Sequence, residues 1–219
     1  MHLIELEHLC WRFFDGKCCD QDPGPDSKIY LVPGSLPKTL LKMNFESNQY
    51  LEPNLFPPDL SELIFGSEFN KKIGPGILPQ GIQSLEFGDN FNKRIKPGVL
   101  PQGIQSLRFG DNFNQKIEPW VLSSGTLPQC LESLKFSREN QFDQTLEIGS
   151  LPQNLKKLSF GLFFNRPLVP GILPMGLRDL DLGFCFNQSL ANVLPCGLSH
   201  LSIHLKDHEL DFLPKLINL

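Results

Sequence analysis

Apolar residues recur along this chain at fixed offsets rather than in a helical rhythm. Counted from a leucine that precedes proline, position +4 is Leu40, Leu60, Ile82, Ile104, Leu131, Leu155, Leu177 and Leu198. Position +7 is Met43, Leu63, Leu85, Leu107, Leu134, Leu158, Leu180 and Leu201. Position +9 is Phe45, Phe65, Phe87, Phe109, Phe136, Phe160, Leu182 and Ile203. Positions +7 and +9 lie two apart, the period of a strand whose alternate side chains face opposite ways. A glycine follows in most units (Gly66, Gly88, Gly110, Gly161 or Gly183), read as a turn residue able to take φ > 0. Then come a Phe-Asn pair, an aliphatic residue and a Pro-Gly return. Each unit therefore predicts one short strand, a Gly-led turn and a buried phenylalanine. No stretch of the repeat region has the length or period of a regular helix.

The Leu-Pro dipeptide recurs at Leu36, Leu78, Leu100, Leu127, Leu151, Leu173, Leu194 and Leu213, with Phe56-Pro57 as a variant, in steps of 19 to 27 residues. Two neighbouring 22-residue units, Leu78–Val99 and Leu100–Val121, are nearly verbatim copies. Units that share one apolar face cannot each close a core alone and bury it by stacking. The predicted fold is mainly β, a solenoid with a parallel sheet, one short strand per repeat and little helix. The extra residues near Ser123–Thr126 and Arg138–Gln141 fall outside the +4 to +9 strand, where loops accept insertions.

Composition agrees with this reading. The chain has 219 residues, with 18 Phe and 19 Pro but only two Tyr and two Trp. Large rings need a core while prolines break strands and helices, so both fit one chain only if the prolines recur at connectors. The formal net charge of −4 does not steer the chain to nucleic acid or to an anionic membrane. No apolar run is long enough for a transmembrane helix. Glu5, Glu7 and Asp15 interrupt the N-terminal apolar stretch, which does not read as a signal peptide. The expected location is cytoplasmic, with Cys10, Cys18, Cys19, Cys130, Cys185 and Cys196 reduced. No CxxC pair occurs, so no structural metal is expected.

The strand pattern L-x-x-L-x-F/L resembles that of leucine-rich repeats. The fuller pattern LPxxIxxLxFGxxFNxxIxPGxLP resembles the FNIP repeat, a family of amoebae and their giant viruses, over roughly residues 36–205. The departures are Phe142-Asp143, the 27-residue unit, and the last unit, where Lys206–His208 replaces Phe-Asn. The resemblance implies a leucine-rich-repeat-like solenoid and protein–protein interaction, with no activity and no cofactor. Residues 1–35 read as a worn first repeat with a polar, Pro-rich insertion. A short capping helix over Leu3–Phe14 is the alternative, and a truncated F-box would need more residues than are there. Residues 36–219 form the repeat solenoid.

Two sets of candidate residues follow from the register. The polar residue after each turn phenylalanine, Asn70, Asn92, Asn114, Asp143, Asn165 and Asn187, is expected to satisfy backbone groups of the turns as a structural ladder. Outward positions +6 and +8 carry Glu86, Arg108, Lys135, Lys157, Asp179 and Asp181, a mixed-charge face that reads either as a solvated surface or as a groove for a protein partner. Mixed signs argue against nucleic acid. His200, His204 and His208 would align on a helix, but in a strand His200 and His204 stand about 13 Å apart and share no ion. No GxSxG, GxGxxG or GxxxxGK[ST] motif occurs, and no enzymatic function is expected. The leading function is a non-catalytic interaction scaffold. A substrate receptor for a ubiquitin-ligase-type complex is the alternative, and a metal-dependent enzyme comes third. The apolar stretch Phe212–Ile217 is expected to be covered by fold-back or by self-association.

Overall fold

A computed structural model describes residues 30–119 and 125–203. Eight short strands form one parallel sheet in chain order: β1 Lys42–Phe45, β2 Glu62–Phe65, β3 Ser84–Glu86, β4 Ser106–Phe109, β5 Ser133–Phe136, β6 Lys157–Ser159, β7 Asp179–Asp181 and β8 His200–Ser202. No helix occurs among the described residues. The register is the repeat register. Leu63 pairs with Leu85, Leu85 with Leu107, Leu107 with Leu134, and Leu134 with Leu158. Both insertions leave the pairing in step, because they lie in loops. The first 29 residues, the Ser123–Thr126 insertion in part, and the Phe212–Ile217 stretch lie outside the described residues.

The returns show why proline recurs. The carbonyl of each Leu-Pro proline accepts from the backbone N–H three residues on, as Pro79 does from Ile82 and Pro101 from Ile104. Pro lacks only a donor, and its acceptor closes the turn. Immediately before each strand one carbonyl takes two N–H groups of the next coil: Gln83 accepts from Gln105 and Ser106, and Glu132 accepts from Lys156 and Lys157. Coils thus join by backbone bonds before the strands begin.

Two phenylalanine columns fill the coil. Phe65, Phe87, Phe109, Phe136 and Phe160 stack at centroid spacings of 5.4, 5.4, 5.6 and 5.7 Å. Phe69, Phe91, Phe113, Phe142, Phe164 and Phe186 stack beside them at 6.0, 6.1, 6.4, 6.1 and 6.0 Å. Within a coil the rings are closer still, 3.8 Å for Phe109 to Phe113. These rings are buried, and a phenol in their place would need a buried hydrogen-bond partner. At the N-terminal end the geometry changes: Phe45 meets Phe56, Phe65 and Phe69 edge-on, at interplanar angles of 75°, 85° and 78°. Among the described residues this edge-on cluster is where the stack begins. At the other end Leu201, at an inward position by register, is 39% exposed.

The glycine reading needs correction. Gly66, Gly88, Gly110 and Gly161 do not adopt positive φ; of the post-strand glycines only Gly183 does, at 74°. The first four serve close approach instead: a Cβ on Gly88 would lie 2.2 Å from the Gly66 oxygen, and one on Gly110 2.5 Å from the Gly88 backbone. Positive φ recurs at the position two before the Leu-Pro or Phe-Pro dipeptide in seven units. Gly34, Gly76, Gly98, Gly149 and Gly171 hold it at 75° to 87°, and Asn54 and Asn192 take it at 63° and 60°. Asparagine is the side chain that tolerates this region best after glycine.

Candidate functional site

Every second strand residue leaves the core. The burial of β1, β4 and β5 alternates strictly, with Met43, Phe45, Leu107, Phe109, Leu134 and Phe136 inside and Asn44, Arg108 and Lys135 exposed. The register sets Glu86 beside Arg108, Arg108 beside Lys135, and Lys157 beside Asp179. All six sequence-selected residues therefore stand on one face, spread over the five consecutive strands β3 to β7.

Their charges are not equally satisfied. Arg108 Nη1 donates to Glu86 Oε1 at 2.8 Å. Lys157 Nζ lies 3.5 Å from Asp179 Oδ2, and His200 Nδ1 lies 2.9 Å from the other oxygen of Asp179. Asp181 accepts from the Ser159 hydroxyl at 3.3 Å and from the Gly183 N–H at 3.0 Å. Lys42 pairs with Glu62 at 2.6 Å near the N-terminal edge. Lys135 has no ion-pair partner among the described residues. It shares a shallow depression with Ser84, Glu86, Ser106, Arg108, Ser137 and Arg138. Arg138, with a side chain 91% exposed, meets Glu139 only at 4.0 Å. Arg138 and Ser137 belong to the turn after β5, so the strand register did not select them.

The turns after the strands carry a line of amides. Each Phe-Asn polar residue from Asn70 to Asn165 accepts, through its side-chain oxygen, the backbone N–H of its counterpart one coil on. Asn70 Oδ1 accepts from Asn92 at 3.1 Å and Asn92 Oδ1 from Asn114 at 3.0 Å. Asn114 serves Asp143 at 3.1 Å, Asp143 serves Asn165 at 3.1 Å, and Asn165 serves Asn187 at 3.0 Å. Asn48 begins the line by accepting from Asn70 at 3.0 Å. Only an acceptor is used, so the carboxylate of Asp143 fits without loss. Its second oxygen is 2.8 Å from Arg166 Nη2.

A second line, unseen in the sequence, runs two residues earlier, just before each turn phenylalanine. Asn90 donates to Glu68, Asn112 to Asn90, and Gln141 to Asn112, at 3.2, 3.1 and 3.2 Å. The columns Glu-Asn-Asn-Gln were its signal, hidden because the residue type varies. Downstream the same position is Phe163, 47% exposed, and then Cys185. The Gln141 unit carries two extra residues, and buried Asn140 fills the gap. Its amide nitrogen donates to the Gly110 carbonyl, and its oxygen accepts from the Phe142 N–H at 2.7 Å. His200 is exposed at the rim of β8, and His204 and His208 lie outside the described residues.

The family model named FNIP Repeat matches residues 47–90, 91–138, 121–163 and 164–206. Among solved structures the chain is similar to CroV588, described as a novel circular LRR protein, at 35% sequence identity and a TM-score of 0.73. That match covers 80% of this chain and 25% of the other, so the chain spans about a quarter of that structure's length. No curated protein matches the chain. Repeat register, stacked phenylalanines and family match converge: the chain belongs to the FNIP repeat family and folds as a leucine-rich-repeat-like solenoid.

Proposed function

We propose that the chain is a non-catalytic protein-interaction module that presents the outward face of its sheet to a partner protein. Repeat solenoids of this type commonly bind through such extended surfaces. The observation that carries the reading is the contrast within each strand. Inward residues are sealed into the phenylalanine stack, while the outward row carries exposed charge with Lys135 unpaired at its centre. Packing explains the inward row completely and places no demand on the outward one.

Affinity capture from cells of the natural source tests this, with the full chain as bait and captured proteins identified by mass spectrometry. A specific partner is expected to be lost when Arg108→Glu and Lys135→Glu are combined, and retained with Lys96→Glu near a return loop. A partner captured equally by all three baits would move binding off the sheet.

A further inference from the structure

The central depression of the sheet says what kind of partner segment belongs there. Its lining holds three cations, Arg108, Lys135 and Arg138, against one carboxylate, Glu86. That is a positive island on a chain whose formal net charge is −4. Glu86 neutralises one cation, through Arg108 at 2.8 Å. Lys135 has no counter-ion among the described residues, and Arg138 is held only at 4.0 Å. The hydroxyls of Ser84 and Ser106 line the same hollow, each able to donate or accept. On β6, Lys157 extends the positive row, shared with Asp179 at 3.5 Å.

Carboxylates bound the island on both sides. Glu62 stands on β2, and Asp179 and Asp181 stand on β7. From β2 to β7 the outward charge order is negative, positive, negative, with Glu62 also paired to Lys42 on β1 and Asp179 to His200 on β8. With strands about 4.8 Å apart, β4 to β6 span about 10 Å, the length of roughly three extended residues. A longer run of negative charge would meet the flanking carboxylates, and like charges brought together disfavour that pairing.

We infer that this island receives a short acidic segment of a partner protein, whose side-chain carboxylates engage Lys135, Arg138 and Arg108 while the flanking carboxylates limit its length. The inference rests on the sheet-face reading above and adds the chemistry of the occupant. Nucleic acid is the poorer match, because its charge continues well beyond three residues' length into Glu62 and Asp179.

The test uses the full chain and fluorescein-labelled probes read by anisotropy: tetraglutamate, tetraglutamine, dodecaglutamate and an oligo-dT of twelve nucleotides. Tetraglutamate is expected to bind and tetraglutamine not, with affinity falling as salt rises from 50 to 200 mM because exposed charges are screened. Lys135→Glu and Arg138→Glu together are expected to weaken tetraglutamate at least about tenfold, and Lys135→Gln with Arg138→Gln less. Unchanged thermal melting shows that these variants remain folded. Asp179→Ser with Asp181→Ser is expected to tighten dodecaglutamate more than tetraglutamate, because it removes the flanking repulsion as well as freeing Lys157. The proposal is overturned if tetraglutamate binds no better than tetraglutamine, if the reversals leave its binding intact, or if oligo-dT binds more tightly. Such a failure, with a captured partner still lost on Arg108→Glu and Lys135→Glu, refutes the acidic chemistry and leaves the interaction module standing. Loss of both effects refutes both.

Discussion

Asn92 uses one atom for the fold. Its Oδ1 accepts from the Asn114 N–H at 3.0 Å and from Gln115 Nε2 at 2.7 Å. Truncation to Ala leaves that N–H without its partner in a half-buried turn, at a cost of about 1–3 kcal/mol. Asn92→Asp keeps the acceptor and is expected to retain most of the stability, as Asp143 does in its own coil. Urea denaturation of the two variants separates the cases; equal destabilisation would mean that the amide donors matter too. Gly110 gives a different prediction. A Cβ there meets the Gly88 backbone at 2.5 Å, and backbone cannot rotate aside. Gly110→Ala is therefore expected to destabilise by more than the roughly 1 kcal/mol of a mere backbone preference, read as a lowered melting temperature. The sequence marks both columns, but of the five glycines to which it assigned φ > 0 only Gly183 adopts it. A glycine that frees its own backbone and one that makes room for a neighbour look alike in a single chain.

At the scale of the element, the unit of stability is the column rather than the strand. Strands of three or four residues pair too little backbone to persist alone, and the stacked rings beneath hold them together. Phe109 touches Phe87 and Phe136 in its own column and Phe113 beside it. Phe109→Ala is expected to cost about 3–5 kcal/mol, the range for truncating a buried ring. Phe109→Leu is expected to cost clearly less, because Leu182 occupies the same position in a later coil and is fully buried. Chemical denaturation checks the ordering. Strand position, register and inward column were legible from a two-residue period repeated eight times. The edge-on contacts of Phe45 and Phe56 were not, since ring orientation depends on the packing around each ring rather than on its spacing in the chain. Nor was the Glu68–Asn90–Asn112–Gln141 line, because hydrogen bonding between amides and carboxylates tolerates changes of residue type that a pattern search reads as noise.

For the whole molecule, each coil contacts its neighbours alone, so stability should fall toward the ends. Native-state hydrogen exchange is expected to be slowest in β3 to β5 and fastest in β8, all three of whose residues are exposed. Uniform protection across the sheet would show a cooperativity beyond nearest neighbours. The candidate binding face separates cleanly from this scaffold. Arg108 and Glu86 form an exposed pair, and such pairs contribute about 0–1 kcal/mol. Charge reversal there is expected to leave melting nearly unchanged while abolishing partner capture.

By itself the sequence determined the coil: its repeat, its inward and outward columns, and the polar residues beside the turn phenylalanines. Those properties depend on spacing along one chain, and stacking identical units carries them into three dimensions unchanged. Tertiary structure decided what depends on departures from identity. It chose which cations lack a partner, set Lys135 in one depression with Glu86 and Arg108 of earlier strands, and used the oxygen of Asn and Asp alike. Charge satisfaction is a property of neighbours about 5 Å apart across strands but some twenty residues apart in sequence, and only the packed sheet brings them together.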